Sequence, residues 1–147
     1  VTFRNLLRHA RYALTAPPRS VVAVTQSRDY RVLINAVLAG CVGLLAWFLA
    51  FLAVLGAFRG IFYPLIDDDS YAQSWGGPTL AGAWAVHALA VFLVPVFGLA
   101  IAAIGILQLR LARRLLDRSG PIWPVPFAVV LLIGGLFFFV SWLHQAQ

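Results

Sequence analysis

Three uncharged, apolar runs dominate the chain. The first extends from Val32 to Phe58, 27 residues bounded by Arg31 and Arg59. The second lies between Ser70 and Leu109, and its apolar part begins near Leu80. The third lies between Ser119 and Gln147; it turns apolar after Pro124 and fades at His144. A helix needs about 20 apolar residues to cross about 30 Å of hydrocarbon. Each run supplies one crossing, and the first is too short for two crossings and a turn. Helices buried in a soluble bundle keep a polar stripe towards water, and no such stripe interrupts these runs. The pattern predicts an all-α integral membrane protein with three transmembrane helices, over about 32–58, 79–109 and 122–143. An outer loop over 59–78 and an inner loop over 110–120 join them.

Ahead of the first run the period changes. Phe3, Leu6, Leu7, Ala10 and Leu14 recur at helical spacing, with Arg4, Arg8 and Arg11 on another face. This predicts a short N-terminal amphipathic helix. It either lies on the membrane surface with its arginines at anionic lipid heads, or is a solvated tail whose charge only sets topology. Pro17-Pro18 is expected to end it, because proline cannot continue a helix. Residues 1–31 are therefore read as a cytosolic basic arm and 32–147 as a transmembrane domain.

Charge then orients the spans. Residues 1–31 carry Arg4, Arg8, Arg11, Arg19, Arg28 and Arg31 against Asp29. The loop after the second span carries Arg110, Arg113, Arg114 and Arg118 against Asp117. The connection after the first carries Arg59 against Asp67, Asp68 and Asp69. Basic loops face the cytosol, so the N-terminus is expected inside and the C-terminus outside. Tyr30, Tyr63, Trp75, Trp84, Trp123 and Trp142 fall near span ends, where amphipathic rings favour the headgroups. Trp47 is mid-span, where it is placed to pack against another helix. Composition agrees: 62% of residues are hydrophobic and 11% charged, against about 45–50% and about 25% in soluble domains.

Few residues suggest chemistry. His87 lies about nine residues into a helix that starts near Pro78, roughly 13 Å deep at 1.5 Å per residue. Ionisable groups inside spans face protein or water and often mark function. Trp84 shares its helix face. A sensing, proton or ligand role for His87, Trp84 and Trp75 stands beside a structural one, a histidine hydrogen-bonded to a neighbouring helix. Asp67, Asp68 and Asp69 suit either a cation or a solvated loop that sets topology. Arg59 can pair with them or hold a lipid phosphate. Arg110, Arg113 and Arg114, like the arm arginines, are membrane-surface basic residues. Gly56 and Gly60 form a GxxxG, and Gly82 precedes Ala83, so close helix packing is expected at all three glycines. Pro95 is expected to kink the second helix. Cys41, the only cysteine, excludes an intrachain disulfide and is read as a small buried hydrophobe.

No catalytic triad, phosphate loop or paired carboxylates occur, so an enzyme is not expected. No cofactor or metal site and no nucleic-acid partner is expected either. The expected partners are membrane lipids, and other membrane proteins or further copies of the chain. The polar span residues available to a transport path are few: His87, Asn35 and Gln108.

The segments Ser27-Arg28-Asp29-Tyr30, Tyr63-Pro64, Ser74-Trp-Gly-Gly-Pro-Thr-Leu-Ala-Gly-Ala-Trp-Ala-Val-His87 and Leu109-Arg-Leu-Ala-Arg-Arg-Leu-Leu116 together resemble half of a sensor domain of actinobacterial membrane proteins. That domain is often joined to a histidine kinase. The resemblance covers about residues 27–116 and implies a sensing or regulatory role. A third span stands where the family continues into its kinase, so output would come from a partner. The function expected is therefore a small membrane sensor or regulatory accessory protein of a bacterial plasma membrane. The alternative is a structural subunit of a larger envelope or transport complex.

Overall fold

The structure is a computed structural model that describes residues 2–66 and 79–145. Among these the chain is helical, with no strand. Its helices are α1 (Phe3–Leu14), α2 (Ala16–Gln26), α3 (Tyr30–Ile66), α4 (Leu80–Ala88), α5 (Leu93–Leu115) and α6 (Pro124–Gln145), with a 3-10 turn over Leu89–Phe92 between α4 and α5. Three stretches are long and apolar enough to cross a membrane: Tyr30–Phe62, Leu80–Leu115 and Pro124–Gln145. The chain is a membrane protein with three such helices, as the hydropathy pattern predicts.

Local chemistry sets the helix ends. Asp29 Oδ1 accepts the Arg31 N–H at 2.9 Å at the start of α3. Thr79 Oγ1 accepts the Gly82 N–H at 3.2 Å and caps α4. Side-chain acceptors of this kind satisfy the amides that a helix start leaves open. After α5 the chain turns at Arg118, whose φ is 55°, and Gly120, whose φ is 84°. The Ser119 N–H bonds back to the Arg113 carbonyl at 3.1 Å.

The chain divides into two compact units, residues 1–47 with 101–147, and residues 48–100. In the first, α2 runs antiparallel to the start of α3. A methyl group on Gly43 would lie 2.7 Å from Pro17 Cδ, and one on Gly40 would lie 3.0 Å from Ser20 Cβ. Trp47 Nε1 donates to the Leu14 carbonyl at 2.7 Å. Helix α1 crosses α5 where Gly105 meets the His9 carbonyl, too close for any side chain at 105. Buried alanines, among them Ala13, Ala16, Ala36, Ala46 and Ala102, make the close contacts. Small residues do this work in membranes because lipid tails leave packing, not water exclusion, to hold helices together. In α6 only Pro124 and Ala128 are buried, so most of its surface faces outwards.

The second unit holds the continuation of α3 from Phe48, α4, the 3-10 turn and the start of α5. A methyl on Gly60 would lie 2.6 Å from the His87 carbonyl, whereas one on Gly56 would meet Ala90 Cβ at 3.8 Å.

Three expectations need correction and one needs extending. Helix α1 ends at Leu14, just ahead of Pro17-Pro18, as expected, but helical structure does not stop there. The prolines open α2, whose first turn accepts them, because proline lacks an N–H that this turn does not use. Residues 1–31 are not a separate arm. They belong to the same unit as the start of α3 and the second half of α5, and they dock on Trp47, which is 17 residues or about 25 Å beyond Tyr30. The inner loop is shorter than 110–120, since α5 continues to Leu115. Cys41 is exposed, not buried, because the α3 face packed against α2 carries Gly40 and Gly43 instead. Shortly before Pro95 the α-helix gives way to the 3-10 turn.

Gly105→Ala should dislodge α1 and cost about 2 kcal/mol or more, the scale of a core overpacking that backbone cannot relieve. Gly98→Ala, with open space around it, should be neutral or slightly stabilising. Trypsin sensitivity at Arg8 and Arg11 in detergent separates the two: only the Gly105 variant should be cut faster.

Candidate functional site

Two polar places interrupt the apolar helices, one in each unit. In the second unit, Gly60, Trp84 and His87 meet. Pro64 has no N–H, so the Gly60 carbonyl lacks the partner a helix would normally give it four residues on. Trp84 Nε1 donates to that carbonyl at 3.1 Å. One turn later His87, half-buried, sets its Nδ1 2.8 Å from the Ala83 carbonyl. With its proton on Nδ1 the ring donates there. The Trp84–His87 face therefore docks on Gly60, and the helix leaves regular geometry two residues later, at Leu89.

Of the residues expected to join this site, Trp75, Asp67, Asp68 and Asp69 lie outside the described residues. Arg59 is exposed on α3. Of the three packing glycines, Gly60 makes the close approach, Gly56 only an ordinary contact, and Gly82 gives its N–H to the Thr79 cap.

The second place is a chamber of about 130 Å³ in the first unit, between α1, α2, α3 and α5. Tyr12, Arg19, Ser20, Asn35 and Gln108 line it. Gln108 is 1% exposed, and its Nε2 donates to the Ala39 carbonyl at 3.0 Å. Its Oε1 and the Asn35 Oδ1 are buried with no partner among the described residues. Arg19 borders the chamber as a fixed cation. Its Nε donates to the Thr15 carbonyl at 3.1 Å and its Nη2 to the Tyr12 carbonyl at 2.6 Å. Its guanidinium carbon sits 3.8 Å from the centre of the Tyr12 ring, a stacked cation–π arrangement. These two carbonyls lie in the last turn of α1 and at its C-cap. Two orphaned amide oxygens beside a hydroxyl suit small hydrogen-bond donors, and the volume holds several waters.

In the sequence Asn35 and Gln108 stand out only as polar positions in spans and Arg19 only as topological charge, while nothing marks Tyr12 or Ser20. The available signal was weak: two amides in otherwise apolar spans, and an arginine seven residues after a tyrosine across a proline pair. At the basic end, Arg110 lies 5.1 Å over the Trp123 ring, while Arg113 and Arg114 occupy the last turn of α5. Arg4, Arg8 and Arg11 are exposed on α1.

No family model, curated protein or solved structure matches the chain.

Two outcomes follow from this geometry. Gly60→Ala should cost about 1–3 kcal/mol more than Gly56→Ala, because its methyl meets a backbone oxygen that cannot swing away; unfolding in mixed micelles measures the difference. Gln108→Leu should change stability by less than about 1 kcal/mol, or raise it, because it removes an unpaired buried acceptor while Ala39 keeps its helical bond. A loss above about 2 kcal/mol would show that the amide's value is structural.

Proposed function

We propose that the chain is a small sensor or regulatory accessory protein of a bacterial plasma membrane, acting through partner membrane proteins and not by catalysis. The observation that carries this reading is the break in the second span. Its first segment, α4, presents Trp84 and His87 to Gly60, and the 3-10 turn at Leu89–Phe92 separates it from α5. A span whose hydrogen-bond ladder is interrupted bends at that point more readily than a continuous helix. A switch needs such a two-state element, and His87 is the ionisable side chain just ahead of the turn. The resemblance of Ser74–His87 to a sensor domain supports the same role. The basic residues before Tyr30 and after Leu109, set against the acidic stretch 67–69, support a cytosolic N-terminus and an external C-terminus. The outward surface of α6 offers room for partner helices or a second copy.

The structural-subunit reading draws on the same contacts, since Trp84 and Gly60 also simply fasten α4 to α3. His87→Gln separates the two. Glutamine keeps a hydrogen-bonding group but cannot take up a proton. Under the sensor reading the variant assembles normally with its co-purified membrane partner in mild detergent, and the pH dependence of that association is lost. Loss of assembly, or an unchanged pH profile, supports the structural reading. Recovery of the wild-type chain only as a monomer contradicts both.

A further inference from the structure

A second cluster of charge lies away from both sites. Where α3 begins, α5 ends and α6 begins, the structure opens a cleft of about 660 Å³. Arg31, Arg114 and Arg118 line it together with Tyr30. Its apolar walls include Ile34, Leu115 and Ile122. Among the described residues no acidic side chain lines it. Asp29 is turned to the Arg31 N–H at the helix start, and among the described residues none of the three guanidinium groups has an ion-pair partner.

The three cations are positioned by separate devices. Arg31 Nε donates to Tyr30 Oη at 3.0 Å, and its guanidinium carbon lies 5.5 Å from the centre of that ring. Arg114 projects from the last turn of α5. Arg118 sits at φ 55°, a left-handed conformation that favours glycine and that an arginine occupies at some cost. Three unpaired cations around one opening repel each other unless an anion joins them. Guanidinium groups bind phosphate oxygens in pairs.

We infer that this cleft binds the phosphate headgroup of an acidic phospholipid. The surroundings favour a lipid over free phosphate. The cleft lies where the ends of all three spans come together, the depth at which headgroups lie. Ile122 is 66% and Ile34 45% exposed beside it, so an acyl chain leaving the headgroup would cover apolar surface along α3 and α6. The site fixes this end of the bundle to anionic lipid and couples the α5–α6 turn to membrane composition. It does not depend on the role proposed for His87.

The test uses the full chain purified in a neutral detergent. Phosphatidylglycerol, phosphatidylcholine with the same acyl chains, and inorganic phosphate are titrated separately. Tm and the number of bound lipids by native mass spectrometry are read. Phosphatidylglycerol should bind and raise Tm by mass action, while phosphatidylcholine and phosphate should not. Arg118→Gly is the decisive variant, because glycine accepts the left-handed φ while removing the cation. Its Tm without lipid should be unchanged or higher, yet its affinity for phosphatidylglycerol should fall about tenfold, the scale of one charge-assisted hydrogen bond. Arg114→Gln should weaken binding similarly. Arg113→Gln, a neighbouring charge that does not line the cleft, should not. Equal binding of the two lipids, or equal loss in the Arg113 variant, would overturn the assignment. Stabilisation by phosphate alone that matches the lipid would make the cleft a free-anion site and overturn it as well.

Discussion

In hydrocarbon a backbone carbonyl has no water to turn to, and a proline four residues later removes its helical partner. The helices of this protein repeatedly meet that constraint. Pro18 orphans the Leu14 carbonyl, and the Trp47 indole occupies it from α3. Pro64 orphans the Gly60 carbonyl, and the Trp84 indole occupies it from α4. Pro126 orphans the Ile122 carbonyl, which is met from within by the Val125 N–H at 3.2 Å. Before Pro95 the chain leaves α geometry altogether. Where the rescue comes from a neighbouring helix, the proline becomes a docking point between elements. In each tryptophan case a glycine or a proline-kinked end lets the partner backbone come close enough to be reached.

That constraint accounts for part of where the polar chemistry lies. Arg19 is exposed, and the Tyr12 and Thr15 carbonyls at the end of α1 hold it in place. Having been fixed there, it borders the chamber in which Asn35 and Gln108 leave two amide oxygens open. His87 follows Trp84 by one turn, so the contact that fastens α4 to Gly60 also sets the depth of the histidine. Local defects in the helical ladder thus place the residues through which the proposed regulatory role would act. The arginine cleft at the span ends has a different origin. It arises from helix termini and a left-handed turn at Arg118.

The three spans were legible in the sequence because uninterrupted apolarity over Val32–Phe58 and its two successors leaves few other structures open. Pro95 was legible too, since a proline inside a long apolar run has one main effect. The arm was read less well. Its amphipathic period predicted α1 and Pro17-Pro18 the end of that helix, but not that the same prolines open α2, whose packing partners Gly40 and Gly43 lie far along the chain. Cys41 was misplaced because a uniformly apolar helix carries no periodicity to say which face is buried. Trp84 and His87 were legible as neighbours on one face, but the partner of that face was not, since Gly60 lies 24 residues away. The chamber was nearly invisible. Its members are scattered from Tyr12 to Gln108, and each alone looks like an ordinary polar residue in or near a span.

The central claim is that the indoles serve carbonyls orphaned by proline, and Trp47 with Pro18 tests it most directly. The measurement is a double-mutant cycle on unfolding free energy in mixed micelles, using Trp47→Phe, Pro18→Ala and the pair. In the wild-type background the loss of the indole donor should cost about 1–2 kcal/mol. In the Pro18→Ala background the restored N–H of residue 18 can serve the Leu14 carbonyl, so the same change should cost well under half as much. An equal cost in both backgrounds would mean that Trp47 acts by packing alone, and would contradict the claim.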